Sequence, residues 1–144
     1  MKKAICIFVS SVILLLCLSS CATKANSMKV IVDGQEHIPS SNWIFSLSKD
    51  GVAADGARMQ PKDAADESTA IPLKDTISVL IEGETTGAPY YTLYKLSDNF
   101  EEIYYRSDRF EAPADNGTFL CIAEVTWGNE DQYEGYQYFF KFTK

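Results

Sequence analysis

The stretch TFLCIAEVTW, residues 118–127, is typical of a long β-strand because apolar side chains recur at every second position. One apolar face is formed by Phe119, Cys121, Ala123, Val125 and Trp127. Glu124 and Thr126 fall on the opposite face. After an acidic loop, the stretch YQYFFKFT, residues 136–143, alternates in the same way, with Tyr136, Tyr138, Phe140 and Phe142 on one face. Such neighbouring stretches are expected to pair as an antiparallel hairpin.

Shorter strand patterns precede this hairpin. Residues 28–32 and 35–38 flank Asp33-Gly34, a dipeptide that favours a type I′ hairpin turn. Further apolar or aromatic strand patterns occupy residues 42–47, 77–81, 90–96 and 102–106. Residues 48–71 lack this alternation and are expected to form a long irregular loop, with one short helix over residues 61–67. The sequence therefore predicts an all-β, antiparallel β-sandwich of about seven strands.

The N-terminus has the order of a secretory signal peptide. Lys2 and Lys3 precede an apolar run over residues 5–18, and two small residues then precede Cys21. The sequence Leu18-Ser19-Ser20-Cys21 resembles the lipobox of bacterial lipoproteins. The resemblance implies cleavage before Cys21, acylation of that cysteine (with palmitate, for example), and retention on the extracytoplasmic face of the cell membrane. The competing interpretation is a generic signal peptide with a coincidental cysteine.

These features divide the chain into three segments. Residues 1–20 are predicted to be the signal peptide, residues 21–27 a lipidated cysteine with a small polar tether, and residues 28–144 one β-sandwich domain. Removal of the leader lowers the basic residues from 13 to 11 against 20 acidic ones, which leaves a net charge near −9. So acidic a chain is a poor ligand for nucleic acid, because phosphate backbones repel it.

A second resemblance covers residues 75–144. The pattern Asp115-x-Gly117-x-Phe119-x-Cys121 resembles the Asp-x-Gly/Ala-x-Tyr-x-Cys signature that opens the penultimate strand of immunoglobulin-like domains. It implies that residues 77–81, 91–96 and 136–142 are the second, third and last strands of such a fold. Phe119 replaces the tyrosine of that signature, and Cys121 has no cysteine partner on the second strand. Stability is therefore expected to come from apolar packing.

Residues suited to catalysis or metal binding are few. His37 is the single histidine, and Cys121 is the one thiol expected to stay free, because Cys6 and Cys17 lie in the leader. One histidine and one cysteine do not make a zinc site, and calcium-binding or phosphate-binding loop motifs are absent from the sequence. We therefore predict no catalytic residues, no metal and no cofactor. An envelope hydrolase using acidic pairs such as Glu101-Glu102 and Glu130-Asp131 is kept as a third alternative.

Aromatic residues carry the strongest functional signal. All eight tyrosines lie between residues 90 and 138, and adjacent pairs such as Tyr90/Tyr91 and Tyr104/Tyr105 must point to opposite faces of a strand. Some rings are therefore expected to be exposed, although tyrosine also fills half-buried sheet positions. The candidate binding surface consists of Tyr104, Trp127, Tyr133 and Tyr136. The sequence favours a non-catalytic module that binds an envelope or extracellular protein, with a cell-surface glycan as the alternative ligand.

Overall fold

The computed structural model describes residues 25–51, 54–97 and 99–144. The predicted signal peptide and Cys21 lie outside these residues. The described residues form ten strands and one helix, in the order β1 (Ser27–Val32), β2 (Gln35–His37), β3 (Ser40–Ser48), β4 (Ala54–Asp55), α1 (Pro61–Asp66), β5 (Ala70–Pro72), β6 (Ile77–Glu82), β7 (Tyr90–Lys95), β8 (Glu101–Ser107), β9 (Thr118–Gly128) and β10 (Gln132–Thr143).

The strands form two sheets that pack face to face. The small sheet has the order β2-β1-β6, and the large sheet has the order β4-β3-β10-β9-β7-β8. The short strand β5 pairs in parallel with the last residues of β10, whereas the other pairs are antiparallel. The predicted all-β sandwich and its short helix are confirmed. Seven strands have six or more residues, and β2 is the short strand predicted after the Asp33-Gly34 turn. The short strands β4 and β5 were not predicted, because they begin in residues 48–71, which were expected to form an irregular loop.

The hairpin of β9 and β10 is the centre of the large sheet. Its pairing runs without interruption from Tyr133 opposite Gly128 to Thr143 opposite Thr118. The inner face of the large sheet is the one that contacts the small sheet. The predicted apolar face of β9 is this inner face, and its members are at most 4 % exposed: Phe119, Cys121, Ala123, Val125 and Trp127.

The main core lies between the two sheets. The small sheet contributes Met28, Val30 and Val32 from β1, and alternate isoleucine and valine side chains of β6 pack against them. On the open side of β6, the Phe110 ring enters the sandwich, with its centroid 5.6 Å from that of Phe140 and 6.2 Å from that of Phe142. Phe110 therefore closes the core where the small sheet ends.

The outer face of the large sheet is covered in part by α1. Ala64 and Ala65 of the helix are buried against Leu120, Ile122 and Phe139, which explains why both faces of β9 are apolar near its start. Pro61 begins the helix, as predicted, because proline is already restricted to a helical φ and lacks an N–H that the first turn would leave unbonded.

The turn between β1 and β2 has the predicted type I′ conformation. Asp33 and Gly34 have φ angles of 49° and 82°, both in the left-handed region that this turn requires. The Asp33 carboxylate accepts three hydrogen bonds of 2.8–2.9 Å from the backbone N–H groups of Lys74, Asp75 and Thr76. The turn thereby fixes the loop that leads into β6, and these hydrogen bonds lower the pKa of Asp33 below its usual value of 3.8.

The Asp33 carboxylate is expected to make the free energy of unfolding depend on pH in the acid range. Because the folded-state pKa is lowered, the stabilising contribution of Asp33 is present above the unfolded-state pKa and is lost as the pH falls through the folded-state pKa. The variant Asp33→Asn should have a lower urea midpoint than the wild type at neutral pH, and the difference should shrink as the pH falls below the usual carboxyl pKa of 3.8. Asp75→Asn, in the same loop, is the control. A difference for Asp33→Asn that does not change with pH would contradict this expectation.

The boundary between tether and domain lies earlier than predicted. Ser27 is the first residue of β1, and the side-chain carbonyl of Asn26 accepts a hydrogen bond of 3.3 Å from the N–H of Glu84. The last two residues of the predicted tether, residues 21–27, therefore belong to the folded part.

Candidate functional site

Trp127, the predicted stacking residue, is part of the core. Its side chain is 4 % exposed and lies on the inner face of β9. The indole N–H donates a hydrogen bond of 2.8 Å to the hydroxyl of Tyr138, and the two rings meet edge to face. This corrects the expectation that Trp127 presents a flat surface to a ligand. Burial satisfies its single polar group within the protein.

Two of the predicted tyrosines also belong to the inner face. The hydroxyl of Tyr104 both donates to the carbonyl of Glu111 and accepts from its N–H, at 3.3 Å each, and burial raises the pKa of Tyr104. The ring of Tyr136 is half-buried beside Tyr138, and its hydroxyl donates to the Glu134 carboxylate at 3.2 Å. Both residues therefore serve the packing between the sheets.

Tyr133 lies on the other side of the large sheet. It is three residues from Tyr136 on an uninterrupted strand, so the two side chains point in opposite directions. Its ring contacts Phe45 edge to face, with 6.2 Å between centroids. The structure brings Trp127 and Tyr136 together around Tyr138, but it does not join them to Tyr133. The four residues do not form one surface.

A different group of aromatic and aliphatic side chains is exposed. Tyr105 of β8 is 65 % exposed, and Ile103 and Phe100 are 43 % and 37 % exposed. We call Phe100, Ile103 and Tyr105 the β8 surface. The expectation that adjacent tyrosines point to opposite faces is confirmed, since Tyr105 is exposed while Tyr104 packs on the core. Strand alternation could not have selected Tyr105, because it groups Tyr105 with Ile103 and groups Tyr104 with the polar Glu102 and Arg106.

The β8 surface lies at the edge of the large sheet, and its strand is irregular. The pairing of β8 with β7 shifts register twice, each time with an extra residue on β8. Arg106, at the second shift, has a φ of 49°, which is uncommon for a residue other than glycine. Bulges of this kind disfavour the addition of another strand to an edge. A partner that binds at this edge is therefore expected to contact side chains and not to pair with the backbone of β8.

The second bulge directs Arg106 toward the outer face, where it meets Glu124. Its guanidinium lies 3.2 Å from one Glu124 carboxylate oxygen, and Arg58 lies 3.3 Å from the other. Arg106 also lies over the Tyr90 ring, 4.5 Å from the ring centroid. These residues, with Phe45, line a depression of about 200 Å³ that we call the Glu124 cleft. Nothing in the local sequence indicates it, because it depends on a bulge.

The residues considered for catalysis are dispersed. Within the described ranges, no three histidine, cysteine, aspartate or glutamate side chains are close enough to hold a metal ion. His37 lines a cleft at the junction of β2, β3 and β5, with Ile38, 88 % exposed, at its edge. Glu101 and Glu102 are exposed on β8, and Asp131 pairs with Lys49 at 3.0 Å.

Cys121 is fully buried in the main core, as predicted, and burial raises the pKa of its thiol well above the usual value. We expect a thiol reagent such as DTNB to modify the native protein at least about tenfold more slowly than the protein in guanidinium, because the reactive thiolate requires solvent. A variant with serine at positions 6, 17 and 21 reports on Cys121 alone, and Cys121→Ala in that background should remove the signal in both states. Equally fast labelling in the native protein would show that Cys121 is accessible.

Comparison with protein-family models, curated proteins and solved structures finds no match to this chain. Within the described residues, no helix is both long and apolar enough to cross a membrane.

Proposed function

We propose that this protein is a lipid-anchored, non-catalytic binding module on the extracytoplasmic face of the bacterial cell membrane, and that its partner is another envelope or extracellular protein. The lipobox-like sequence ending at Cys21 supports the anchoring. The exposed β8 surface carries the binding role, because Phe100, Ile103 and Tyr105 leave large apolar areas in solvent at one edge of the domain.

The composition of the β8 surface suits a protein interface. Aromatic side chains are enriched at such interfaces, where they bury a large area at low entropic cost and are surrounded by polar residues. Glu101 and Glu102 are exposed beside the β8 surface and provide an acidic rim. The partner's contact surface is therefore expected to combine apolar groups with basic ones.

The position of this surface relative to the anchor also favours a partner beyond the membrane. Ser27 is opposite Glu82 at one end of the sandwich, whereas Lys95 and Glu101, at the tip of the β7–β8 hairpin, lie at the other end. Ser27 follows Cys21 by six residues, so the spacer reaches at most about 20 Å. An anchored domain would thus hold Phe100 on the side away from the lipid.

Capture of partners from envelope extracts tests the protein-binding role. Full-length protein should retain a defined partner after crosslinking, and Tyr105→Ala should reduce its recovery at least about tenfold, as for an interface hot spot. Ile38→Ala alters an even more exposed apolar residue elsewhere and should leave recovery unchanged. Equal losses for both variants, or no loss for Tyr105→Ala, would contradict binding through the β8 surface.

The Glu124 cleft favours a glycan as the second candidate ligand. Carbohydrate sites combine an aromatic ring with polar groups that bind hydroxyls, and the cleft offers Tyr90, Arg58, Arg106 and Glu124 within a small depression. Full-length protein applied to a glycan array tests this role. Binding that Tyr90→Ala removes and Tyr105→Ala preserves would favour the glycan; array signals that neither variant changes would count against the cleft.

A further inference from the structure

Strand β6 lies at one edge of the small sheet. In the described part of the chain, β6 pairs with β1 on one side, and no strand pairs with it on the other. The N–H of Asp33 donates to the carbonyl of Thr76 at 2.8 Å, which fixes the hydrogen-bonding phase of the β1–β6 ladder. Since the bonded pairs alternate, Ser78 and Leu80 bond to β1.

It follows that the main-chain N–H and C=O groups of Ile77, Val79 and Ile81 point to the free edge. The same three residues turn their side chains toward the core. An added strand would therefore meet backbone donors and acceptors at every second residue, with alternate side chains directed toward the sandwich interior.

A groove lies beside the first half of this edge, at residues 77–79. It has a volume of about 420 Å³ and lies between β6 and the segment that follows β8. Its apolar floor is formed by Tyr91 and Phe110, whose rings meet with centroids 6.0 Å apart. Asp108 and Arg109, which follow β8, also line the groove. Unlike β8, β6 pairs without a bulge, so its edge keeps a regular spacing.

The net charge of the chain indicates which kind of extended segment would bind in the groove. The chain carries a net charge of −7, whereas Asp75 and Asp108 near the groove are balanced locally by Lys74 and Arg109. Arg109 is the one basic residue in the groove lining. An extended segment with basic residues would thus be attracted, whereas pairing with a second copy of this acidic domain would bring like charges together.

We propose that β6 is a strand-addition site, and that its occupant is an extended, basic segment of a partner protein with apolar residues at alternate positions. The site is separate from the β8 surface, so a failure of either leaves the other testable.

The probe is the octapeptide Lys-Thr-Val-Thr-Val-Thr-Val-Lys, capped at both ends, added to full-length protein in detergent micelles. In the free protein, the amides of Val79 and Ile81 should exchange hydrogen faster than those of Ser78 and Leu80. With the peptide bound, Val79 and Ile81 should slow at least about tenfold, as expected for newly bonded amides.

Two methylated peptides supply a matched control. N-methylation of the three valines, which would face Ile77, Val79 and Ile81, should abolish binding because it removes the donors directed at β6. N-methylation of the three threonines changes the opposite edge of the peptide and should preserve binding. Equal affinity for both methylated peptides would overturn strand addition.

Substitutions in the peptide and in the protein both test whether binding depends on charge. Replacing the peptide's lysines with glutamates should weaken binding at least about tenfold at low salt, and Asp108→Lys should reduce that preference. Undiminished binding of the glutamate peptide would overturn the assignment to a basic segment. Slowing of Val79 and Ile81 exchange with rising protein concentration and no peptide would assign the edge to a second copy and overturn the proposal.

Discussion

Substitution of Trp127 by alanine is expected to lower the free energy of unfolding by about 3–5 kcal/mol, the usual cost of removing a large buried aromatic side chain. The indole is 4 % exposed and packs on the inner face of the large sheet. Its loss would leave a cavity and would deprive the hydroxyl of Tyr138 of its 2.8 Å hydrogen bond. So large a change would remove a large share of the about 5–15 kcal/mol that is typical of the stability of a whole domain.

Urea denaturation followed by far-UV circular dichroism measures this effect. Trp127→Phe retains most of the volume but not the hydrogen bond, and should cost less than the alanine variant. Tyr105→Ala, at an exposed aromatic residue, should stay within about 0.5 kcal/mol of the wild type. A change below about 1 kcal/mol for Trp127→Ala would contradict its place in the core. Any loss of ligand binding by Trp127→Ala would therefore reflect the loss of folded protein and not the loss of a contact with the ligand.

Replacement of Cys21 by serine is expected to move nearly all of the protein out of the mature membrane-bound form. Serine has no thiol for acylation, and anchoring by lipid depends on burying acyl chains at about 0.8 kcal/mol per CH₂. The chain is strongly acidic, with a net charge of −7, so attraction to anionic lipid headgroups would not replace the lipid. Fractionation of cells, followed by mass spectrometry of the N-terminus, measures both processing and location.

Cys17→Ser is the matched control for this experiment. It changes a cysteine within the apolar run of the predicted leader and leaves the lipobox-like sequence intact. Its product should carry acyl chains and remain with the membrane. If the control and the Cys21→Ser protein were both cleaved but carried no acyl chains, the generic-signal interpretation would be favoured and the proposed anchoring refuted.

Local sequence patterns, namely strand alternation, turn dipeptides and helix-start residues, predicted several parts of this fold. The inner face of β9, the Asp33-Gly34 turn and the short helix at Pro61 are each specified by neighbouring residues, and all three are confirmed. The resemblance to immunoglobulin-like domains implied the third, penultimate and last strands, which are β7, β9 and β10. These strands are adjacent in the large sheet. Phe119 stacks on Phe142 with 5.5 Å between centroids, and the expected packing by apolar groups is thereby observed.

Long-range pairing could not be predicted in the same way. β3 leaves the β1–β2 hairpin and joins β10, a strand some 90 residues later, and no local pattern marks that partner. The predicted binding surface was wrong for a related reason. Tyr133 and Tyr136 were grouped by composition although their spacing places them on opposite faces, and Glu124 meets Arg58 and Arg106 only through a bulge.

The arrangement around β10 also constrains when folding can finish. This strand, the last along the described chain, pairs with β9, β3 and β5, so the large sheet has no centre until residues 132–143 have emerged. Synthesis of the earlier strands alone cannot close the sandwich. For the secretion proposed above this order is favourable, because a chain crosses the translocation channel unfolded and the large sheet cannot form its centre before residues 132–143 are available.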